Sequence, residues 1–126
     1  MSTYTFTVNF KSGIKIATYT TNCPTLSAGL YNPQPDDKLQ FIFNDDASDI
    51  QGGKLSSSKM DVPERSSPFS GAVDGSMSIV NNSVVSFDVT QGSWCFYISF
   101  YAKNNAGKWE FHLLPDPELQ VGSIPN

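Results

Sequence analysis

The chain has 126 residues, enough for one domain spanning residues 1–126 with a proper core and no dependence on disulfides or metal. Aromatics make up 13% and charged residues 16%, with eight prolines and nine glycines, a balance that favours short strands and turns over a helical bundle. The net charge is -4 and the eight Lys and Arg residues are scattered singly, which argues against nucleic acid, because phosphate binding needs a clustered basic surface.

Residues 1–6 carry neither a positive n-region nor an apolar h-region, so the expected location is cytoplasmic, or outside the cell by export without the usual signal peptide. No apolar run approaches the roughly 20 residues that a membrane helix requires. Cys23 and Cys95 are too few to define a disulfide framework, and reduced thiols are expected. Asn81-Asn82-Ser83 matches a glycosylation acceptor, which has meaning only in a secreted chain.

Residues 4–10 alternate aromatic or aliphatic side chains with threonine or asparagine, the pattern of a half-buried strand. Lys11-Ser12-Gly13 reads as a three-residue turn into a second strand at residues 14–19, pairing Phe10 with Ile14 and Val8 with Ile16. Residues 21–37, broken by Pro24, Pro33 and Pro35, form a crossover loop with one helical turn near Leu26 to Leu30. Residues 38–43 are a third strand with Leu39, Phe41 and Phe43 inward, followed by an acidic loop at residues 44–49.

A short strand is expected at Lys54-Leu55-Ser56, then a long irregular stretch to Gly75. Residues 76–80 and 84–89 read as a hairpin about Asn81-Asn82-Ser83, aligning Ile79 with Val85 and Met77 with Phe87. The richest segment follows. In residues 94–101, alternation puts Trp94, Phe96, Ile98 and Phe100 on one face and Cys95, Tyr97, Ser99 and Tyr101 on the other, as in a central strand covered on both sides.

A hairpin about Asn104-Asn105-Ala106-Gly107 returns through residues 109–114. Pairing Phe100 with Phe111, Ala102 with Trp109 and Tyr101 with Glu110 keeps the apolar sets together, which places Trp109 in the core and His112 beside Tyr97 and Tyr101. After Pro115-Asp116-Pro117 a last strand carries Leu119 and Val121 inward. The total is about eight strands, the spacing of a single antiparallel β-sandwich of immunoglobulin-like or jelly-roll type.

The chemistry is sparse. Ser99, His112 and Glu110 share a face, but a serine in mid-strand has neither the exposed bend nor the oxyanion hole of a nucleophile, so no enzyme is expected. One histidine and two distant cysteines exclude the paired spacings of structural zinc and the ligand set of blue copper. Asp45, Asp46 and Asp49 offer hard oxygens to calcium, joined by Asp36 and Asp37 only if another loop brings them close; the spacing is not that of an EF-hand, and a solvated turn is the plainer reading. Gly52-Gly53-Lys54-Leu55-Ser56 lacks the strand and helix of a phosphate loop and reads as a turn.

The expected site is therefore the second face of the central hairpin: Tyr97, Tyr101, Asn104, Asn105, Glu110 and His112. Flat aromatic rings beside carboxylate, amide and imidazole groups are the means by which proteins hold sugars, so a carbohydrate-binding, lectin-like module without cofactor is the leading expectation. The alternative is a self-associating or protein- or membrane-surface module, with the aromatic face as its interface.

Overall fold

The computed structural model describes residues 1–11, 13–26, 29–45, 50–60, 66–104, 106–114 and 117–123. Among them are nine strands and no helix: β1 (Thr3–Lys11), β2 (Ile14–Thr21), β3 (Lys38–Asp45), β4 (Ile50–Lys59), β5 (Ser76–Ser78), β6 (Ser83–Ser86), β7 (Gly92–Lys103), β8 (Trp109–Leu114) and β9 (Glu118–Val121). They join into one curled sheet in the order β5-β4-β7-β8-β2-β1-β3-β6, with β9 on β7. The sheet is mixed. β1 runs parallel to β3 and β2 parallel to β8, where an antiparallel arrangement was expected.

The parallel pairing follows from the crossover. Leaving β2, the chain does not turn back at once; residues 22–37 carry it to the far side of β1, where β3 starts beside the start of β1 and so must run the same way. Asp37 fixes that landing, accepting hydrogen bonds from the backbone N–H groups of Ser2 and Gln34 at 2.8 Å each. The crossover also covers β9, for the backbone of Tyr31 brackets it at Glu118 and Gln120 and the Asn32 amide donates to the Gln120 and Gly122 carbonyls. An open strand edge is thereby closed. The expected helical turn near Leu26 to Leu30 lies partly outside the described residues; at its ends Gly29 N–H bonds to the Leu26 carbonyl, Leu26 N–H to the Leu30 carbonyl, and Thr25 bridges Tyr31.

β7 is the central strand, as its sequence predicts, but only one of its faces is covered: Tyr97 and Tyr101 on the other are exposed. It pairs with β4 along one side, while its first half takes β9 and its second half β8 on the other. Trp94, Phe96, Ile98, Phe100 and Ala102 point inward and are all buried. The β1/β3 half of the curl closes over them: Phe10 and Phe43 meet Phe100 edge-on with centroids at 4.7 and 4.9 Å, and Phe6 meets Phe96 at 5.7 Å. Such tilted contacts are preferred by aromatic quadrupoles and add to the area they bury.

Three expected registers are different. The β1–β2 hairpin forms, but a bulge between Asn9 and Lys11 pairs Lys11 with Ile14 and Val8 with Tyr19, turning Ile14 and Ile16 to the outside. β5 and β6 do not form a hairpin; β5 pairs with β4 and β6 with β3, although Ile79 and Val85 both remain in the core. Between them, Asn82 N–H bonds to the Phe41 carbonyl and the Asn81 side chain accepts from Phe43 N–H, so the turn is tied to β3 and the two strands part. Finally, β8 is displaced by one residue against β7, pairing Phe100 with His112 and Tyr101 with Phe111.

Candidate functional site

The one-residue displacement of β8 remakes the outer face. A shift of one reverses every side chain of a strand. Trp109, Phe111 and Leu113 therefore face outward beside Tyr101 and Ser99, and Glu110 and His112 leave the face on which they were expected. Loop chemistry holds this register: Asn104 N–H bonds to the Lys108 carbonyl, and the Asn104 side-chain oxygen accepts from the N–H groups of Ala106 and Lys108, both at 2.9 Å. Asn104 is thus spent on shaping the turn. Asn105 lies outside the described residues.

His112 is 1% exposed and stacked on Phe100, a core residue and not a surface imidazole. Glu110 sits at the end of the sheet, where its carboxylate accepts the backbone N–H of Gly13 at 2.8 Å. Trp109, expected in the core, is 42% exposed, with the Lys103 ammonium 5.7 Å from its ring centroid. The expected constellation therefore divides. Its two tyrosines stay on the face, and its carboxylate and imidazole serve the fold.

What the face gains is apolar. Tyr97 (41% exposed), Tyr101 (47%), Trp109 (42%) and Phe111 (42%) lie on adjacent strands, and Tyr101 meets Phe111 edge-on at 5.3 Å. Ile16 of β2 is paired with Leu113 of β8, so Ile14 and Ile16, 57% and 63% exposed, extend the same surface onto a third strand. Tyr101 rests over Gly52, where a Cβ would touch its ring at 3.4 Å. The alternation of Tyr97 and Tyr101 is readable in the sequence; Ile14, Ile16, Trp109 and Phe111 are not, because the expected registers pair them with Phe10, Val8, Ala102 and Phe100 of the core.

Between Tyr97 and the short edge strand β5 lies a cleft of about 210 Å³. Ser56 of β4 is its midpoint, paired with Tyr97 on one side and Ser76 on the other. Lys54, Ser58 and Asp74 complete its walls. Asp74 and Gly75 both have positive φ, 51° and 79°, and the reciprocal bonds of Val73 and Ser76 close a two-residue turn around them. Asp-Gly is the sequence signal for such a turn, although the surrounding stretch has no strand periodicity.

Among the described residues no group of three or more His, Cys, Asp or Glu is placed to hold a metal. Asp46 and Asp49 lie outside those residues, as does the side chain of Asp45. Asp36 and Asp37 belong to the opposite end of β3 from Asp45, Asp36 next to the N-terminal amine at 3.7 Å and Asp37 buried as a backbone acceptor. The glycine pair Gly52-Gly53 is a bulge inside β4, not a loop. Cys23 and Cys95 are not bonded to each other.

Fold and face together define an all-β module with an aromatic outer sheet surface. No protein-family model matches the chain, and no curated protein is significantly similar to it.

Proposed function

We propose that the protein is a non-catalytic interaction module that associates with a second copy of itself through the outer face of β7, β8 and β2. The observation that carries this is the row Tyr97, Tyr101, Trp109 and Phe111, continued by Ile14 and Ile16, all between 41% and 63% exposed on one side of the sheet. Single exposed apolar residues are ordinary, but six on adjacent strands form a contiguous patch of the kind that marks interfaces. Aromatics dominate the centres of such interfaces because they bury large area at little conformational cost. The two halves of the curl act in this reading as the layers of a sandwich, supported by the contacts of Phe10 and Phe43 with Phe100 across the interior.

Static light scattering across a concentration series tests it. A dimer at micromolar concentration, converted to monomer by Phe111→Ser with Trp109→Ser, is the expected result. A parent chain that stays monomeric at the highest concentration removes the reading. The carbohydrate expectation has lost Glu110 and His112 as partners on this face, and what remains of it lies with Tyr97 at the neighbouring cleft.

A further inference from the structure

The cleft beside Tyr97 differs in character from the face it adjoins. Its members run as a row across three strands, Ser76, Ser56 and Tyr97, with Lys54 and Asp74 of opposite charge in the same wall. Neither Lys54 nor Asp74 is in an ion pair among the described residues. Ser57 meets this wall through its backbone, its N–H bonded to the Gly75 carbonyl, while its side chain, paired with Phe96, lies on the inner face of β4. The cleft thus brings together hydroxyls, an amine donor, a carboxylate acceptor and one partly exposed ring.

We infer that this cleft binds a single neutral pyranose ring. The charges balance, which disfavours phosphate or another net anion as the ligand, and a polar wall disfavours a purely apolar one. One ring with a polar tip offers its flat apolar surface to the C–H face of a sugar, while serine, lysine and aspartate supply both donors and acceptors for the hydroxyls around its rim. Size sets the limit: at about 210 Å³ the cleft lies below the roughly 300–1,000 Å³ of sites for drug-sized ligands, so it holds one sugar ring and not an oligosaccharide. Its geometry is prepared beforehand. Asp74 is fixed in a two-residue turn, and the Gly75 carbonyl is held by Ser57 N–H at 2.8 Å, so little ordering is required on binding.

This inference is separate from self-association, since only Tyr97 belongs to both surfaces. Saturation-transfer NMR with glucose, galactose and mannose and with their methyl glycosides tests it. At least one of these is expected to receive saturation, with a dissociation constant on the order of 1 mM. Binding of the methyl glycoside as well as the free sugar assigns the ligand as the end of a glycan; binding of the free sugar alone assigns a free monosaccharide. Asp74→Asn keeps the turn, because asparagine tolerates positive φ, and weakens binding about tenfold. Tyr97→Ala weakens it similarly and Tyr97→Phe retains it, whereas Phe111→Ser, outside the cleft, leaves it unchanged. No transfer to any of the six sugars overturns the inference, as does binding indifferent to both Asp74→Asn and Tyr97→Ala. Transfer to free lysine or glutamate in place of the sugars also overturns it.

Discussion

The imidazole of His112 lies flat against the ring of Phe100, centroids 5.2 Å apart and planes within 12°, while Phe10 from the opposite half of the curl meets it at 5.1 Å. A histidine here fills the place of a third phenyl ring, and its buried Nδ1 has no hydrogen-bond partner among the described residues. An orphaned buried polar atom costs its desolvation with nothing in return. His112→Phe is therefore expected to raise stability by about 1 kcal/mol, read from the urea midpoint at unchanged slope. His112→Ala empties the space between two rings and lowers stability by roughly 3 kcal/mol. A His112→Phe variant less stable than the parent shows that the imidazole makes a contact worth more than the orphaned nitrogen costs.

Gly53 sits in the bulge of β4, and its carbonyl accepts Ile79 N–H at 2.9 Å. A Cβ on Gly53 would collide with the carbonyl oxygen of Ile79, a backbone atom that cannot rotate away. Gly53→Ala must separate the chain at Ile79 from β4 and disturb the burial of Ile79. The expected loss is about 2–3 kcal/mol, with a lower thermal midpoint in calorimetry. A loss below about 0.5 kcal/mol, the range of ordinary surface changes, shows that the two segments separate freely.

Much of the strand layout was legible because β7 alternates so regularly: Trp94, Phe96, Ile98 and Phe100 were readable as core and are buried. The register of β8 was not, and the reason is physical. The rule that places apolar residues together assumes one apolar face, and this hairpin has two. Trp109 and Phe111 satisfy Tyr101 outside as well as they would satisfy Phe100 inside, so the choice fell to the side-chain bonds of Asn104 and to the fit of His112 between rings. The parallel pairs were hidden for another reason: hairpin turns leave a local signature, whereas the partnership of β1 with β3 depends on where a long crossover lands. Of the candidate site, the tyrosines were legible from period two, and the cleft was not, because it depends on β5 pairing with β4 across an Asp-Gly turn.

The interior also fixes how the protein responds to alkali. Burial pushes the Cys23 thiol up to about 12, opposed by a hydrogen bond from the Asn32 backbone and reinforced by the Asp37 carboxylate. Burial likewise raises the Tyr19 hydroxyl, helped by its 2.7 Å hydrogen bond with Tyr31. Both groups are neutral in the folded chain at pH values where an unfolded chain ionises them, so the unfolded state releases protons first. Their contribution is complete below the ordinary thiol value near 9 and is lost as pH rises toward about 12. Urea midpoints measured from pH 7 to 10.5 should hold steady and then fall. Cys23→Ser reduces the early part of that fall, and a midpoint that rises through this window refutes the assignment.

The contact of Tyr101 with Phe111, edge-on at 5.3 Å, exists only in the observed register, since the alternative sets Tyr101 against Glu110. Coupling between the two rings thus reports the register in solution. Double-mutant cycles on aromatic pairs give about 0.5–1.5 kcal/mol beyond burial, and these partly exposed rings belong at the lower part of that range. Tyr101→Ala, Phe111→Ala and the double variant, unfolded in urea at a concentration where the chain is monomeric, should give a coupling of about 0.5–1 kcal/mol. The matching cycle between Tyr101 and Glu110 should give a value near zero. Coupling in the second cycle and none in the first places Trp109 and Phe111 inward, and with them goes the apolar surface on which self-association depends.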